Sequence, residues 1–379
     1  MKSGSWIIFI AMLGLCPVAA GADAPWTDPG TRYEYLHYHY RLNPDATHVE
    51  TVSWAMTVLA EREVKNAKQT TVSYSTSLQA MEVLEAYTRK ADGRRIDAPP
   101  GNYQVESNFG RDARQPVFSD LTTMTAVFPE VAAGDTVVFS YRLSQSEAMF
   151  PGQFSARGSF SPQYSYDEVS VTVDAPASLW AQHQGRQMEE TISEQDGRRV
   201  ITWSLPKSPG KRSKRRDFSV WDGEQEPGYA YSTFRSYGDI AEAYGARARA
   251  KAMRSDRVRQ LAAEIVGERT APREQAQALY EWVARRITYA GNCIGLGAVV
   301  PRDIDFILDN RMGDCKDHAT LYQALLAARG IPSSQALINA GSAYRLPRVP
   351  VVSMVNHVLN YLPTLNLYAD TTAANLPFG

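Results

Sequence analysis

One cysteine lies at a position in the sequence that can activate its thiol as a nucleophile. Cys315 opens the stretch CKDHATLYQALLAARGIP, whose apolar residues recur at helical spacing. Unpaired backbone N–H groups and the helix dipole at such a position favour a negative charge, and hence the nucleophilic thiolate. The flanking Asp314 and Asp317 oppose that charge unless they turn away to cap the helix, and Lys316 partly offsets them. Cys315 is therefore a candidate nucleophile.

A nucleophilic cysteine needs a base, and the segment after this helix offers His357. In VNHVLNYLPTLNLYAD, a hairpin that turns about Pro363 and Thr364 sets His357 directly opposite Asp370. Their Cβ atoms would then lie about 5.5 Å apart on one face. An imidazole beside a carboxylate is held in one tautomer and is stabilised when charged. We therefore predict a catalytic triad of Cys315, His357 and Asp370.

Three alternatives compete with this triad. A cysteine at a helix start also serves as a small packed hydrophobe with no chemistry. Cys315 could instead form a disulfide with Cys293, which would consume the nucleophile. His318 is a second candidate base, but it lies one turn along the same helix and is poorly placed to face the thiol.

The segments that must position these residues show first the periodicity of helices and then the alternation of strands. In SDRVRQLAAEIVG, Ser255 is a candidate N-cap and Gly267 ends the helix. A second helix starts near Thr270 with Pro272 in its first turn, and a third follows Cys315. Helices followed by strands predict an α+β C-terminal domain.

The preceding part of the chain shows the alternation of β structure. The stretches TRYEYLHYHYRL, HVETVSWAMTVL and DEVSVTVDAP are rich in β-branched and aromatic residues, and Asp92 and Gly93 predict a hairpin turn. Strands this dense predict a β-sandwich-like domain from Thr31 to about Leu205. The basic, proline-containing segment PKSPGKRSKRRD is typical of an exposed loop and indicates a domain boundary.

Composition bounds the partners. Hydrophobic residues at 44%, charged residues at 21% and a net charge of -1 are typical of a folded protein without a field that attracts nucleic acid. His37 and His39 lack companions at metal-ligand spacing and are predicted to lie on a strand face. We therefore expect no metal, no cofactor and no nucleic-acid partner. The oligomeric state is left open.

The first residues predict export. Residues 1–22 combine a basic Lys2, an apolar stretch and the small residues Ala20 and Ala22, which is the pattern of a cleaved signal peptide. The apolar stretch is shorter than the roughly 20 residues that span a bilayer, so no transmembrane anchor is expected after cleavage. The mature protein is predicted to be periplasmic or secreted.

The motifs also resemble a known family. GDCKDHATLYQALLAARGIPSSQALI, VNHVL and LYADTT resemble the core of a bacterial transglutaminase-like domain of the papain-like superfamily. The resemblance implies that Cys315 is the nucleophile, His357 the base and Asp370 the residue that orients the base. The β-rich part, with FPEVAAGDTVVFSY, is similar to the domain of unknown function numbered 3857, which precedes such domains in exported bacterial proteins.

These observations define three expected segments. They are a signal peptide at 1–22, a β-rich domain at 23–220 and a transglutaminase-like domain at 221–379. Because relatives continue with β structure beyond the aspartate, we expect the last domain to be C-terminally shortened. The fold class is α+β.

The predicted function is cysteine-dependent acyl transfer through a thioester, of transglutaminase, deamidase or protease type. The expected substrate is a protein or peptide, and the residues leave open whether an amine or water releases the acyl group. A non-catalytic binding or scaffolding protein with a vestigial triad is the alternative.

Overall fold

The computed structural model describes residues 29–109, 118–211, 222–253, 255–291, 299–341, 343 and 345–379. The predicted signal peptide at 1–22 and Cys293 lie outside these residues. Within these ranges, no helix has the length and apolarity that a membrane crossing needs.

The first part of the chain consists mainly of strands. They are, in chain order, Thr31–Leu42 (β1), His48–Val58 (β2), Gln69–Ser75 (β3), Gln79–Arg89 (β4), Arg95–Asp97 (β5), Tyr103–Phe109 (β6), Phe118–Val127 (β7), Thr136–Gln145 (β8), Ser155–Ser159 (β9), Ser165–Tyr166 (β10), Val169–Pro176 (β11), Gln182–Arg186 (β12), Glu189–Gln195 (β13), Arg198–Leu205 (β14) and Gly228–Ser232 (β15). The helix Glu61–Ala67 (α1) separates β2 from β3. The predicted turn at Asp92 and Gly93 joins β4 to β5, with Gly93 at φ 89°.

Two small sheets cover one face of a large sheet. The large sheet has the order β13-β14-β11-β1-β2-β8-β4-β5, and the small ones are β12-β15-β9 and β3-β7-β6. Leu36, Trp54 and Phe139 are cross-strand partners and therefore share a face. Leu36 packs in the core with β15 and Phe139 in the core with β3 and β7, while Trp54 contacts both cores. The predicted sandwich-like architecture is confirmed.

Strand β15 changes the predicted domain boundary. Gly228–Ser232 pairs with β9 on one side and β12 on the other, so it completes a sheet of the β-rich part. The sheets of the β-rich part therefore extend to Ser232, beyond the boundary expected at residue 221. The basic loop marks a break in composition, whereas backbone pairing resumes beyond it.

The C-terminal part is helical and then β, as predicted. Its helices are Tyr237–Lys251 (α2), Asp256–Val266 (α3), Pro272–Arg286 (α4), Ile304–Asn310 (α5) and Cys315–Ala328 (α6). Its strands are Thr288–Tyr289 (β16), Met312–Gly313 (β17), Ser334–Ile338 (β18), His357–Leu362 (β19) and Leu367–Ala369 (β20). Together with the β-rich part they give an α+β fold.

Local capping sets the ends of these helices. The Ser255 hydroxyl accepts the Val258 N–H at 3.2 Å, and Gly267 ends α3 at φ 58°. Pro272 begins α4, where no intrahelical N–H is needed. Helices α3 and α4 pack on α6, whose side chains are almost all buried. This packing places the first residue of α6 at the edge of the core.

Candidate active site

The start of α6 is fixed by a reciprocal cap. The Asp314 carboxylate accepts the N–H groups of Lys316 and Asp317, and the Asp317 carboxylate accepts the Asp314 N–H at 3.1 Å. This capping box confirms the predicted role of the two aspartates and leaves Cys315 as the first helical residue. The Cys315 side chain therefore leaves the helix where the dipole favours a negative charge.

Two cations, one of them buried, compensate the two aspartates. Lys316, which is 3% exposed, pairs with Asp314. Arg302 Nη1 lies 2.7 Å from Asp317 Oδ2, and the Arg302 N–H donates to Asp317 Oδ1 at 2.7 Å. Arg302 was not predicted, because it precedes the motif and is brought to it by the chain that enters α5. The aspartates therefore oppose a thiolate less than their formal charges suggest.

Cys315 carries a free thiol and is 7% exposed. The disulfide alternative is thus not found at Cys315, while Cys293 lies outside the described residues. The Lys316 and Asp317 N–H groups are occupied by the cap. Among the helix-start amides, this leaves the Cys315 N–H as a donor available to a ligand.

The structure brings His357 and Asp370 together, although in a different register from the predicted one. Strands β19 and β20 pair Leu362 with Leu367, so the turn spans residues 363–366 and is centred one residue later than expected. Asn366 adopts φ 48°, a conformation that asparagine tolerates. His357 and Asp370 become diagonal neighbours on one face, with His357 Nε2 2.8 Å from Asp370 Oδ2.

Two buried hydrogen bonds fix the helix against this hairpin. His318 Nδ1 lies 2.7 Å from the Thr371 carbonyl oxygen, and Asn360 Nδ2 donates to the Ala319 carbonyl at 3.0 Å. His318 is fully buried in this contact. Its role in the fold is to hold the residue next to Asp370.

The charges of the site stabilise an imidazolium. The hydrogen bond with Asp370, followed by one with Cys315, raises the pKa of His357 to about 10. Burial alone would raise the pKa of Asp370, but hydrogen bonds from His357 and Thr372 outweigh it and lower the pKa. His357 therefore lies between a thiol and a carboxylate and can hold the proton that the thiol releases.

Tyr280 holds the backbone beside the carboxylate. Its hydroxyl contacts the carbonyl oxygens of Asp370 and Leu376, each at 2.9 Å. Tyr280 lies in α4, where its buried ring belongs to the apolar face of the helix. Nothing in the local pattern indicates a contact 90 residues away.

A cavity of about 770 Å³ reaches the site from between the two parts of the molecule. Cys315, His357 and Tyr244 line it from the C-terminal domain, and Glu50 and Phe154 line it from the β-rich part. The two walls are linked by hydrogen bonds that include Val352 N–H to Ser155 Oγ at 3.1 Å. A ligand that reaches Cys315 is therefore exposed to side chains of both parts.

No group of three or more metal-ligating side chains occurs within the described ranges. His37 lies on the open face of the large sheet, 2.8 Å from a Glu168 carboxylate oxygen. The arrangement at Cys315 consists of a thiol, an imidazole, a carboxylate and a helix-start N–H. These are the groups that nucleophilic acyl transfer needs.

Comparison with known families assigns both parts of the chain. Residues 44–211 match the model described as a domain of unknown function with a solved structure, DUF3857. Residues 259–343 match the transglutaminase-like superfamily. The resemblance seen in the sequence is confirmed at the level of these matches: a match to DUF3857 precedes a match to the transglutaminase-like superfamily. The second match includes Cys315 and ends before His357 and Asp370, whose roles stay predictions.

A solved structure shows a similar fold. A crystal structure of a proposed protease from Parabacteroides distasonis is 17% identical, with a TM-score of 0.76, and the match covers 91% of this chain and 68% of that chain. An M1 zinc metallopeptidase from Deinococcus radiodurans is 14% identical over 53% of this chain and 42% of its own, with a TM-score of 0.26. That score is too low to relate the folds. No curated protein matches the chain.

Proposed function

We propose that the protein is an exported cysteine-dependent acyl-transfer enzyme. The observation that carries the proposal is the hydrogen-bonded series from Cys315 through His357 to Asp370 at the end of a cavity. The transglutaminase-like fold supports this chemistry, and the pattern of residues 1–22 supports export. The proposed location is the periplasm or the exterior.

The first half of the reaction forms a thioester. His357 takes the Sγ proton of Cys315, and the thiolate attacks the carbon of a carboxamide or peptide carbonyl. The Cys315 N–H stabilises the oxyanion of the tetrahedral intermediate. The C–N bond then breaks, and the leaving ammonia or amine takes the proton from His357. Asp370 keeps the imidazole in position throughout.

The second half regenerates the thiol. An amine or a water molecule attacks the thioester carbon and gives its proton to His357. The C–S bond breaks, and Sγ recovers the proton from the imidazolium. An amine acceptor gives transglutamination, and water gives deamidation or proteolysis. We propose a protein or peptide as the acyl donor because the cavity is open between two domains and lined largely by apolar side chains.

The test is the rate of alkylation of Cys315 by iodoacetamide at pH 6, read by peptide mass spectrometry in the mature protein. A thiolate held by His357 reacts at least about tenfold faster than the internal control Cys293. His357→Ala removes the advantage, and the matched control His37→Ala, on the open sheet face, retains it. Equal rates at Cys315 and Cys293 would favour the binding or scaffolding alternative. A thiol that reacts only after reduction would indicate a disulfide.

A further inference from the structure

A carboxylate faces the cavity from a position where the fold calls for an apolar side chain. Glu50 in β2 pairs with Tyr40 of β1 and Leu143 of β8, so all three point to the face that the small sheets cover. Two residues along, Val52 on the same face is buried. Glu50 is instead partly exposed and lines the cavity that contains Cys315.

The surroundings of Glu50 are aromatic. Tyr38 and Tyr141 are diagonal neighbours of Glu50, because both pair with Val52, which lies two residues further along β2 on the same face. The Tyr40 hydroxyl lies 2.8 Å from the Tyr229 hydroxyl, and Tyr40 also hydrogen-bonds Glu50. Burial raises the pKa of Glu50 and the bond from Tyr40 opposes that rise only in part. A carboxylate in such a place is costly unless a cation joins it.

Within the described residues, no cation of the protein fills that role. The cavity-lining Lys316 pairs with Asp314, and Arg157 lies 3.9 Å from Glu224. No ion pair joins Glu50 to either. The charge on the β-rich wall is therefore available to a ligand.

His48, another titratable residue of the cavity wall, would not repel a cation. Burial lowers the pKa of His48 to about 4, so its imidazole is neutral at pH 7. Its ring packs against Phe154 at a centroid distance of 4.7 Å. His48 and Phe154 both line the cavity and extend its aromatic wall.

We propose that Glu50 and the aromatic side chains around it form a subsite for an organic ammonium group of the substrate. A carboxylate combined with aromatic faces is suited to an ammonium, which gains both a charge-assisted hydrogen bond and cation–π attraction. A divalent metal ion would need several more oxygen ligands than one carboxylate supplies. The inference deepens the proposed function, since it makes the β-rich domain the part that selects what reaches Cys315.

The test measures binding without turnover. n-Pentylamine is titrated by calorimetry into the full-length mature Cys315→Ala protein, with 1-pentanol as the neutral analogue. Pentylamine binds more tightly than pentanol, and adding Glu50→Gln weakens pentylamine binding by about tenfold, as expected for loss of a hydrogen bond to a charged group. Pentanol binding does not change. Glu189→Gln, an exposed substitution of the same kind on β13, leaves both affinities as they were.

Equal affinity of the two ligands for the Cys315→Ala protein, or an unchanged pentylamine affinity in Glu50→Gln, overturns the subsite. Because this binding needs no reactive thiol, it can succeed even if Cys315 alkylation shows no activation, and the reverse also holds. In the Cys315-containing protein, incorporation of pentylamine into dimethylated casein is compared with ammonia release. A Glu50→Gln loss confined to incorporation assigns the ammonium to the acyl acceptor, and a loss of both assigns it to the acyl donor.

Discussion

The two walls of the cavity treat charge in opposite ways. On the α6 side, Asp314 has Lys316 and Asp317 has Arg302, and all of these groups are hydrogen-bonded into the fold. On the β-rich side, Glu50 has a tyrosine hydroxyl and no protein cation among the described residues. The paired charges at the start of α6 hold the nucleophile in place. The Glu50 carboxylate has no cation of its own and can therefore bind a cationic ligand.

This difference separates residues that stabilise the fold from a residue that is retained at its expense. Removing one member of an ion pair on the α6 side should lower the stability of the protein, because the other member stays buried without a counter-charge. Neutralising Glu50 on the β-rich side should not lower the stability. Stability measurements on single variants therefore test the contrast directly.

The largest effect is expected for Arg302→Met. The fully buried Asp317 carboxylate would keep its backbone donors and lose its cation, which should lower the free energy of unfolding by about 3 kcal/mol. Urea denaturation measures this change. Arg257→Met, which removes exposed contacts with Asp305 and Asp309, is the control and should cost less than about 1 kcal/mol. Equal losses in the two variants would refute the role of burial.

The next largest effect is the pH dependence of stability that His357 causes. The pKa of His357 is 6.5 when unperturbed and about 10 in the folded protein, raised first by Asp370. Its stabilisation is therefore complete below pH 6.5 and is lost as the pH rises through 10. Solvent screening at this half-buried imidazole reduces the effect, so the free energy of unfolding should decline by about 2 kcal/mol in total across that window. His357→Gln should flatten this part of the profile, and an unchanged slope would contradict the assignment.

A smaller effect is expected for Tyr280→Phe, which removes only the hydroxyl that contacts the Asp370 and Leu376 carbonyls. The loss should be about 1 kcal/mol in unfolding free energy. Because the Asp370 backbone is released, alkylation of Cys315 at pH 6 should also slow severalfold. Tyr361→Phe, on the outer side of the same hairpin, is the matched control. A stability loss without any change in alkylation would leave Tyr280 with a purely structural role.

The parts of the fold that depend on local sequence were predictable. The caps at Ser255 and Asp314 and the stop at Gly267 follow from residue type and neighbours alone. The hairpin prediction places the centre of the turn one residue early, because Pro363 and Thr364 resemble a turn while Asn366 supplies the left-handed residue. His357 and Asp370 still meet, since a shift of two in register preserves the face of the sheet.

Contacts between distant segments could not be predicted. Arg302 and Tyr280 reach the site through tertiary packing, and their local patterns indicate only a loop and an apolar helix face. The alternation in β2 does place Glu50 with Trp54 on one face, which could have marked the carboxylate as anomalous. Knowing that a cavity opens there required the positions of both small sheets and of α6.

The smallest effect, and the one opposite in sign, is expected for Glu50→Gln. Burial raises the pKa of Glu50 above its ordinary 4.5, so ionisation weakens the folded protein at neutral pH. The amide keeps a hydrogen bond with Tyr40 and carries no charge, so the free energy of unfolding at pH 7 should rise by about 0.5–1 kcal/mol. The gain should vanish below pH 4.5, where the carboxyl is protonated in both states. Glu189→Gln should show neither change. A variant that gains stability while it loses pentylamine affinity would show that Glu50 is retained for binding, and a variant that loses stability would place Glu50 with the paired charges of the opposite wall.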